Sequence, residues 1–158
     1  MAQGPYVVTG ASKGIGRAIS QKIASEGYPV IALARSSKEL DEIGKLLATA
    51  CPGSFAIPCD LSKPESIYNA AQIILQSTPW IAGIVHNAGT IFPIMPLAQV
   101  EIAKWSASIN ANLIGVQDLT QRLLSNLGGS QQSRITTISS GAALRPVESW
   151  SAYCVAKA

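Results

Sequence analysis

Tyr153 and Lys157 stand four residues apart in Tyr153-Cys154-Val155-Ala156-Lys157. On a helix, positions i and i+4 share a face, so this spacing sets a phenol beside an ammonium. A free tyrosine ionises near pH ~10 and is a poor general base at neutral pH. A neighbouring positive charge favours the phenolate, and such a pair can give or take a proton at a carbonyl oxygen. The same spacing also fits the ordinary start of an amphipathic helix. A second group of residues suits phosphate. Thr9-Gly10-Ala11-Ser12-Lys13-Gly14-Ile15-Gly16 lies between an apolar strand-like run and a helical one. Glycines let the backbone turn tightly and approach a pyrophosphate, while a helix N-terminus offers unpaired N–H groups and a positive dipole end. Glycines also mark ordinary turns; the strand before and the helix after are what give this turn its reading.

The elements that must hold these groups alternate. Strands are predicted over 5–9, 28–34, 54–59, 81–86 and 134–139. A helix over 14–26 carries Ile15, Ala18, Ile19, Ile23 and Ala24 on one face and stops at Gly27. A second helix over 38–50 repeats Leu40, Ile43, Leu46 and Leu47. Ser62 is expected to cap a third, with Pro64 in its first turn and Ile67, Ala70, Ala71, Ile74 and Leu75 buried. Residues 87–98 read as a loop. Residues 99–127 read as one long helical stretch with Trp105, Ile109, Leu113, Val116, Leu119 and Leu123 toward the interior, ended by Gly128-Gly129. A last helix starts near Ser149. Strands separated by helices imply crossover connections and a parallel sheet. The predicted fold class is therefore α/β, a Rossmann doubly wound parallel sheet in three α/β/α layers.

Composition agrees with that class. The chain has 158 residues, 47% hydrophobic and 13% charged, which suits one folded domain with strands covered on both faces. The formal net charge of +3 is spread out, without a basic run or an aromatic platform, so nucleic acid is not an expected partner. The first residues lack the basic start and apolar core of a signal peptide. No apolar stretch approaches the ~20 residues that span a bilayer. A soluble, cytoplasmic protein is expected, with no membrane partner and with Cys51, Cys59 and Cys154 as reduced thiols. One histidine leaves no His-rich metal site, and no metal is expected.

The glycine spacing resembles the T-G-x-x-x-G-x-G signature of the short-chain dehydrogenase/reductase family. Four further features are similar to that family in order and spacing. Asp60-Leu61 follows the third strand. Asn87-Ala88-Gly89 follows the fourth and resembles the family's N-N-A-G motif, with His86 in place of the first Asn; a packed strand-end role is expected for His86. Asn112 precedes Leu113-x-Gly115 in a helix, although polar groups inside a helix normally face solvent. Ser140 ends the fifth strand thirteen residues before Tyr153, and Ser139 is read as its strand-end neighbour. Within the family, Gly141-Ala142-Ala143, Trp150 and Tyr153-Cys154 look like the sepiapterin-reductase and benzil-reductase-like branch.

The resemblance implies catalysis by Ser140, Tyr153, Lys157 and Asn112. Ser140 would hold the substrate carbonyl and Tyr153 would pass the proton as hydride arrives from the nicotinamide. Lys157 would favour the phenolate and bind the nicotinamide ribose, and Asn112 would support the proton relay. It implies cofactor binding by Gly10, Ser12, Lys13, Gly14, Ile15, Gly16, Asp60, Leu61, Asn87, Ala88, Gly89, Tyr153 and Lys157, with Asp60 at the adenine. NAD-selective sites place a carboxylate after the second strand. Here Arg35-Ser36-Ser37 stands there and no acid occurs before Glu39. Arg35 can pair with a 2′-phosphate through its planar fork, Ser36 can add a hydrogen bond, and Lys13 and Arg17 can add charge. NADP(H) is the expected cofactor and a small-molecule carbonyl or alcohol the expected substrate, of the diketone or pterin-like class if the branch holds. Full-length family members form homodimers or homotetramers.

Family members continue past the Tyr-x-x-x-Lys helix with two more strands and a substrate loop. Residues 1–158 are thus expected to be the N-terminal part of a longer domain, truncated after the fifth strand, with that strand at an open edge and the last helix prone to fray. Two other readings stay open: a cofactor-binding module without turnover, and an interaction protein that docks through the helix of residues 99–127.

Overall fold

The computed structural model describes residues 4–128 and 132–158; Gly129, half of the expected Gly128-Gly129 stop, lies outside them. Five strands form one sheet: β1 (Tyr6–Thr9), β2 (Val30–Ala34), β3 (Phe55–Pro58), β4 (Gly83–His86) and β5 (Arg134–Thr137). All neighbours are parallel, in the order β3-β2-β1-β4-β5. The chain winds outward from β1 to β3, then crosses to β4 on the other side. The reversal between β1 and β4 is the crevice where doubly wound sheets bind ligands.

Alternation along the strands builds two cores, one on each face. Val7, Ile31, Leu33 and Ile84 pack on one side with Ile67 and Ile74 of α3 (Pro64–Ser77) and Leu119 and Leu123 of α5 (Gly115–Leu123). Val8, Ala32 and Val85 pack on the other with Ala24 of α1 (Gly14–Ser25) and Leu40, Ile43 and Leu47 of α2 (Lys38–Ala50). Both faces are covered, so β2 is buried at all five positions.

Several expectations change. On α1 the buried residues are Gly16, Ser20 and Ala24, while Ile15 and Ala18 are exposed; the helix lies on the sheet by its smallest side chains. Leu46 is exposed on α2. Ser62 does not cap α3. Its N–H and its hydroxyl both donate to Asp60 Oδ1, at 3.0 and 2.7 Å, and Lys63 occupies the cap position without a side-chain bond. The stretch over 99–127 is not one helix. It runs as α4 (Ile102–Ile109), a π turn over Asn110–Ile114, α5, and a 3₁₀ turn over Leu124–Asn126, and Leu113 is exposed. The last helix, α6, is Ser151–Lys157, two residues later than expected, after Ser149 at φ +67°. β5 and β3 are the edge strands, and all four residues of β5 are exposed. No helix among the described residues is long and apolar enough to cross a membrane.

The π turn has a steric reason. The N–H of Gly115 bonds Asn110 O, five residues back. A Cβ on Gly115 would run into the carbonyl of Leu61, so only glycine lets α5 come this close to the β3–α3 loop. Replacing Gly115 by Ala should therefore destabilise the fold by about 1–3 kcal/mol. Gly141→Ala, where a Cβ would meet nothing, should stay within about 0.5 kcal/mol. Urea midpoints of the two variants test the contrast.

His86 is 2% exposed at the end of β4. Its Nε2 lies 2.8 Å from Thr120 Oγ1, and that hydroxyl donates to Val116 O at 2.8 Å. The hydroxyl proton is committed, so Nε2 is the donor and Nδ1 the bare acceptor. Nδ1 is buried without a partner among the described residues. Burial holds the imidazole neutral, with its pKa down at about 4 from 6.5. The unfolded chain then binds a proton first as pH falls. Stability should decline between about pH 6.5 and 4, by on the order of 3 kcal/mol in total, and be unaffected by this group above that window. His86→Asn should flatten the decline, measured by urea denaturation across the same range.

Candidate active site

The ends of β1 and β4 are laced together. Thr9 is 1% exposed. Its hydroxyl oxygen accepts from the N–H groups of Asn87 and Ala88, both at 3.0 Å, and its proton goes to Val85 O at 3.4 Å. The Asn87 amide returns the contact, donating to Thr9 O at 3.0 Å and Gly10 O at 3.3 Å. Gly10 and Gly14 hold φ of +67° and +56°, which the left-handed turn requires. Gly16 is needed for proximity: a Cβ there would strike Gly10 O and the Asn87 amide. The first turn of α1 is thereby seated on the β4 loop, with its amide end at the crevice.

A cleft of about 1250 Å³ opens over these strand ends. Gly10, Ser12, Lys13, Arg35, Ser36, Asp60, Leu61, Asn87, Ala88 and Gly89 all line it. Gly14 and Gly16 shape the turn without lining the cleft, and Arg17 is not among its walls. Asp60 is poised as an anion. Burial works to raise its pKa, but the hydrogen bonds from Ser62 and the charges of Lys63 and Arg35 outweigh it and hold the carboxyl below its usual range. Thr9, Ser37, Glu39, Cys59 and residues 90–95 also line the cleft. Sequence reasoning missed them, although Glu39 follows directly on the Arg35 segment. Burial pushes the Cys59 thiol up to about 11, so that wall is unreactive.

A second cleft of about 480 Å³ adjoins the first, with Asn87, Gly89 and Ile91 common to both. Its other walls are Ile15, Ile138, Ser139, Ser140, Tyr153 and Lys157. Three of the four expected catalytic side chains meet here, and Ile15 is exposed because it faces this space. Lys157 Nζ lies 5.8 Å from the centre of the Tyr153 ring and donates to Ile138 O at 2.7 Å. Burial holds the ammonium below the usual lysine range. Ser140 Oγ accepts from Ala142 N–H at 3.2 Å, and its own proton has no acceptor among the described residues. The Trp150 ring stands edge-on to Tyr153, at 5.9 Å and 83°.

Asn112 lies behind this cleft, not in it. It is 6% exposed, at the centre of the π turn. Its Oδ1 accepts from Thr90 N–H at 2.7 Å, and its two amide protons go to Thr90 O at 2.8 Å and Ser108 Oγ at 3.2 Å. The side chain is thus a brace for the loop after Gly89, and it is buried where an interior helical Asn would normally face water. The last helix is better held than its length suggests. Ser139 Oγ donates to Lys157 O at 3.1 Å, Lys157 donates to Ile138 O, and Trp105 Nε1 donates to Ser151 Oγ at 3.1 Å.

Known proteins are similar to this chain. A benzil reductase ((S)-benzoin forming) of Bacillus cereus is 27% identical over 155 residues, 96% of this chain and 62% of that protein. A serine 3-dehydrogenase of Agrobacterium fabrum is 28% identical over 98% of this chain and 61% of its own length. The crystal structure of a short chain dehydrogenase from Escherichia coli CFT073 complexed with NADPH superposes with a TM-score of 0.88 at 28% identity, covering 99% of this chain and 67% of that one. The chain thus spans about three fifths of the length of the curated relatives it matches. The short chain dehydrogenase family itself matches residues 6–158, from the first residue of β1 to the end of α6 and across both clefts, and the chain belongs to that family.

Proposed function

We propose that this chain carries the nucleotide site and the catalytic face of an NADP(H)-dependent oxidoreductase that moves hydride between nicotinamide and a carbonyl or secondary alcohol. The observation that carries the reading is the junction of the two clefts. The Ser140, Tyr153 and Lys157 side chains sit across Asn87, Gly89 and Ile91 from the glycine turn, so one extended dinucleotide can reach from Arg35 to Tyr153.

The residues suit NADP(H). Arg35, Lys13 and Ser36 offer charge and donors to a 2′-phosphate, the turn over Gly10–Gly16 suits the pyrophosphate, and Asp60 and Leu61 border the adenine end. NADPH, when bound, supplies the hydride. Ser140 has a hydroxyl proton to direct at the substrate oxygen, which fixes the carbonyl and stabilises developing charge. Tyr153 donates its phenolic proton to the same oxygen. Lys157 stabilises the phenolate left behind; its half-buried ammonium acts more strongly than one in water. Asn112 contributes through Thr90 and Gly89, since both of its amide protons are committed. The apolar, aromatic surround of Tyr153, with Trp150 edge-on, supports an uncharged carbonyl substrate of the diketone or pterin-like kind, in keeping with the sepiapterin- and benzil-reductase-like branch.

Titration of the purified chain with NADPH and NADH tests the cofactor site. Arg35→Ala should weaken NADPH roughly tenfold, about 1.4 kcal/mol, and change NADH little. Absence of nucleotide binding by the folded chain would sink the reading. Tyr153→Phe tests the chemistry. It should lower the rate of NADPH oxidation with a diketone such as benzil by about 10²–10⁴-fold, far more than it weakens NADPH binding. Binding without turnover in the wild-type chain would favour a cofactor-binding module.

A further inference from the structure

Ser149 is the one residue other than glycine that holds a left-handed backbone among the described residues, at φ +67°. That region crowds a Cβ. A residue kept there is fixed by what surrounds it, and such residues cluster at functional sites. Ser149 lies four residues before Tyr153. Its carbonyl accepts from Met95 N–H at 2.9 Å. The next residue, Trp150, caps α6: it donates its N–H to Val147 O at 3.1 Å, and its carbonyl accepts from Cys154 N–H at 2.8 Å. All three bonds join backbone atoms, and the Ser149 hydroxyl takes no part in them.

Met95 closes the loop of residues 90–95 that lines the nucleotide cleft. Asn112 braces the start of this loop through both the N–H and the carbonyl of Thr90, and Ser149 holds its end. Ile91, between the two anchors, borders both clefts. The left-handed turn thus ties the wall of the nucleotide cleft to the start of the helix that carries Tyr153 and Lys157, with the Trp150 ring edge-on to Tyr153. Any other φ at this residue would redirect the chain after it, so that Met95 N–H loses its acceptor and α6 starts at another angle. We propose that Ser149 is a positioning residue of the active site: its left-handed backbone, and not its side chain, aims α6 so that Tyr153 meets the substrate oxygen. This rests on the oxidoreductase reading above.

The test compares Ser149→Gly, Ser149→Asn, Ser149→Ala and Ser149→Val by kcat with benzil at saturating NADPH, by NADPH affinity and by hydrogen exchange of the Met95 amide. Glycine and asparagine accept the left-handed region, and a β-branched residue accepts it least. Ser149→Gly and Ser149→Asn should keep kcat within about twofold and the Met95 amide slow to exchange. Ser149→Val should lower kcat about 10–100-fold, as a small misplacement of a reacting group does, while NADPH affinity changes at most about threefold. Its Met95 amide should exchange at least about tenfold faster. Ser149→Ala should lower kcat about three- to tenfold and carries the comparison where the valine variant does not fold. A purely structural role would lower the urea midpoints of the alanine and valine variants and leave kcat per folded molecule unmoved. That result, or a loss in Ser149→Gly as deep as in Ser149→Val, would overturn the role of Ser149 and leave the oxidoreductase reading standing. A wild-type chain that binds NADPH without turnover would overturn both.

Discussion

The hydrogen bonds between Thr9 and Asn87 are the constraint on which the rest of the molecule turns. A parallel sheet frees its backbone groups at the carboxyl ends of the strands, and at the switch between β1 and β4 two such ends lie side by side. Left dry and unpaired, each group would cost about 1–3 kcal/mol. Here one hydroxyl and one amide satisfy them mutually. Because these bonds are made within the protein, the amides of the glycine turn remain directed outward at the crevice. The same lacing sets the start of the loop that carries Gly89 and Thr90, and so the floor shared by the two clefts.

From that floor the site divides by charge. The α2 end gathers Lys13 and Arg35 with the acid Glu39, and the neighbouring Asp60 is occupied by Ser62. At the opposite end stands one ammonium, Lys157, less hydrated than a surface lysine and tied to Ile138 O. The remaining walls are mostly backbone, small residues and apolar side chains, with Phe92 and Lys104 on the first cleft. A long ligand with phosphate at one end and a flat uncharged ring at the other matches this distribution.

Much of this was legible in the sequence, for physical reasons that also explain the rest. α2 has the bounds its periodicity predicts, because Ser37 and an apolar i, i+3, i+7 repeat both act locally. The glycine turn, Arg35 and the Tyr153–Lys157 pair are likewise short-range patterns. The errors arise where a distant partner decides. Ile15 breaks its expected face because the first turn of α1 looks into the second cleft. Ser62 is the exception, drawn from the helix by Asp60 only two residues before it. The stretch over 99–127 splits at the π turn because Gly115 must clear Leu61 O, a contact across more than fifty residues. Thr9 opens the glycine motif, but its role as a hub appears only with its partners at the end of β4. Asn112 is buried for the same kind of reason: Thr90 and Ser108 satisfy its amide.

The short last helix shows how far the site depends on such long-range ties. Seven residues are well below the length at which a helix holds itself in water, and α6 has no side-chain cap at its start. Its register is set from outside, by Trp105 of α4 at one end and by Ser139 and Ile138 at the other. Ser139 and Ile138 line the second cleft, whereas α4 borders the first through Lys104, Ala107 and Ser108. The phenol of Tyr153 is therefore positioned by the end of β5 and by α4, more than by helix propensity. β5 is itself an exposed edge strand, so its carboxyl end is among the least buried parts of the sheet. Opening there would release Lys157 from Ile138 before the two central cores were touched. Among the described residues the second cleft is thus held by more exposed elements than the first, which rests on the largely buried strands β1, β2 and β4.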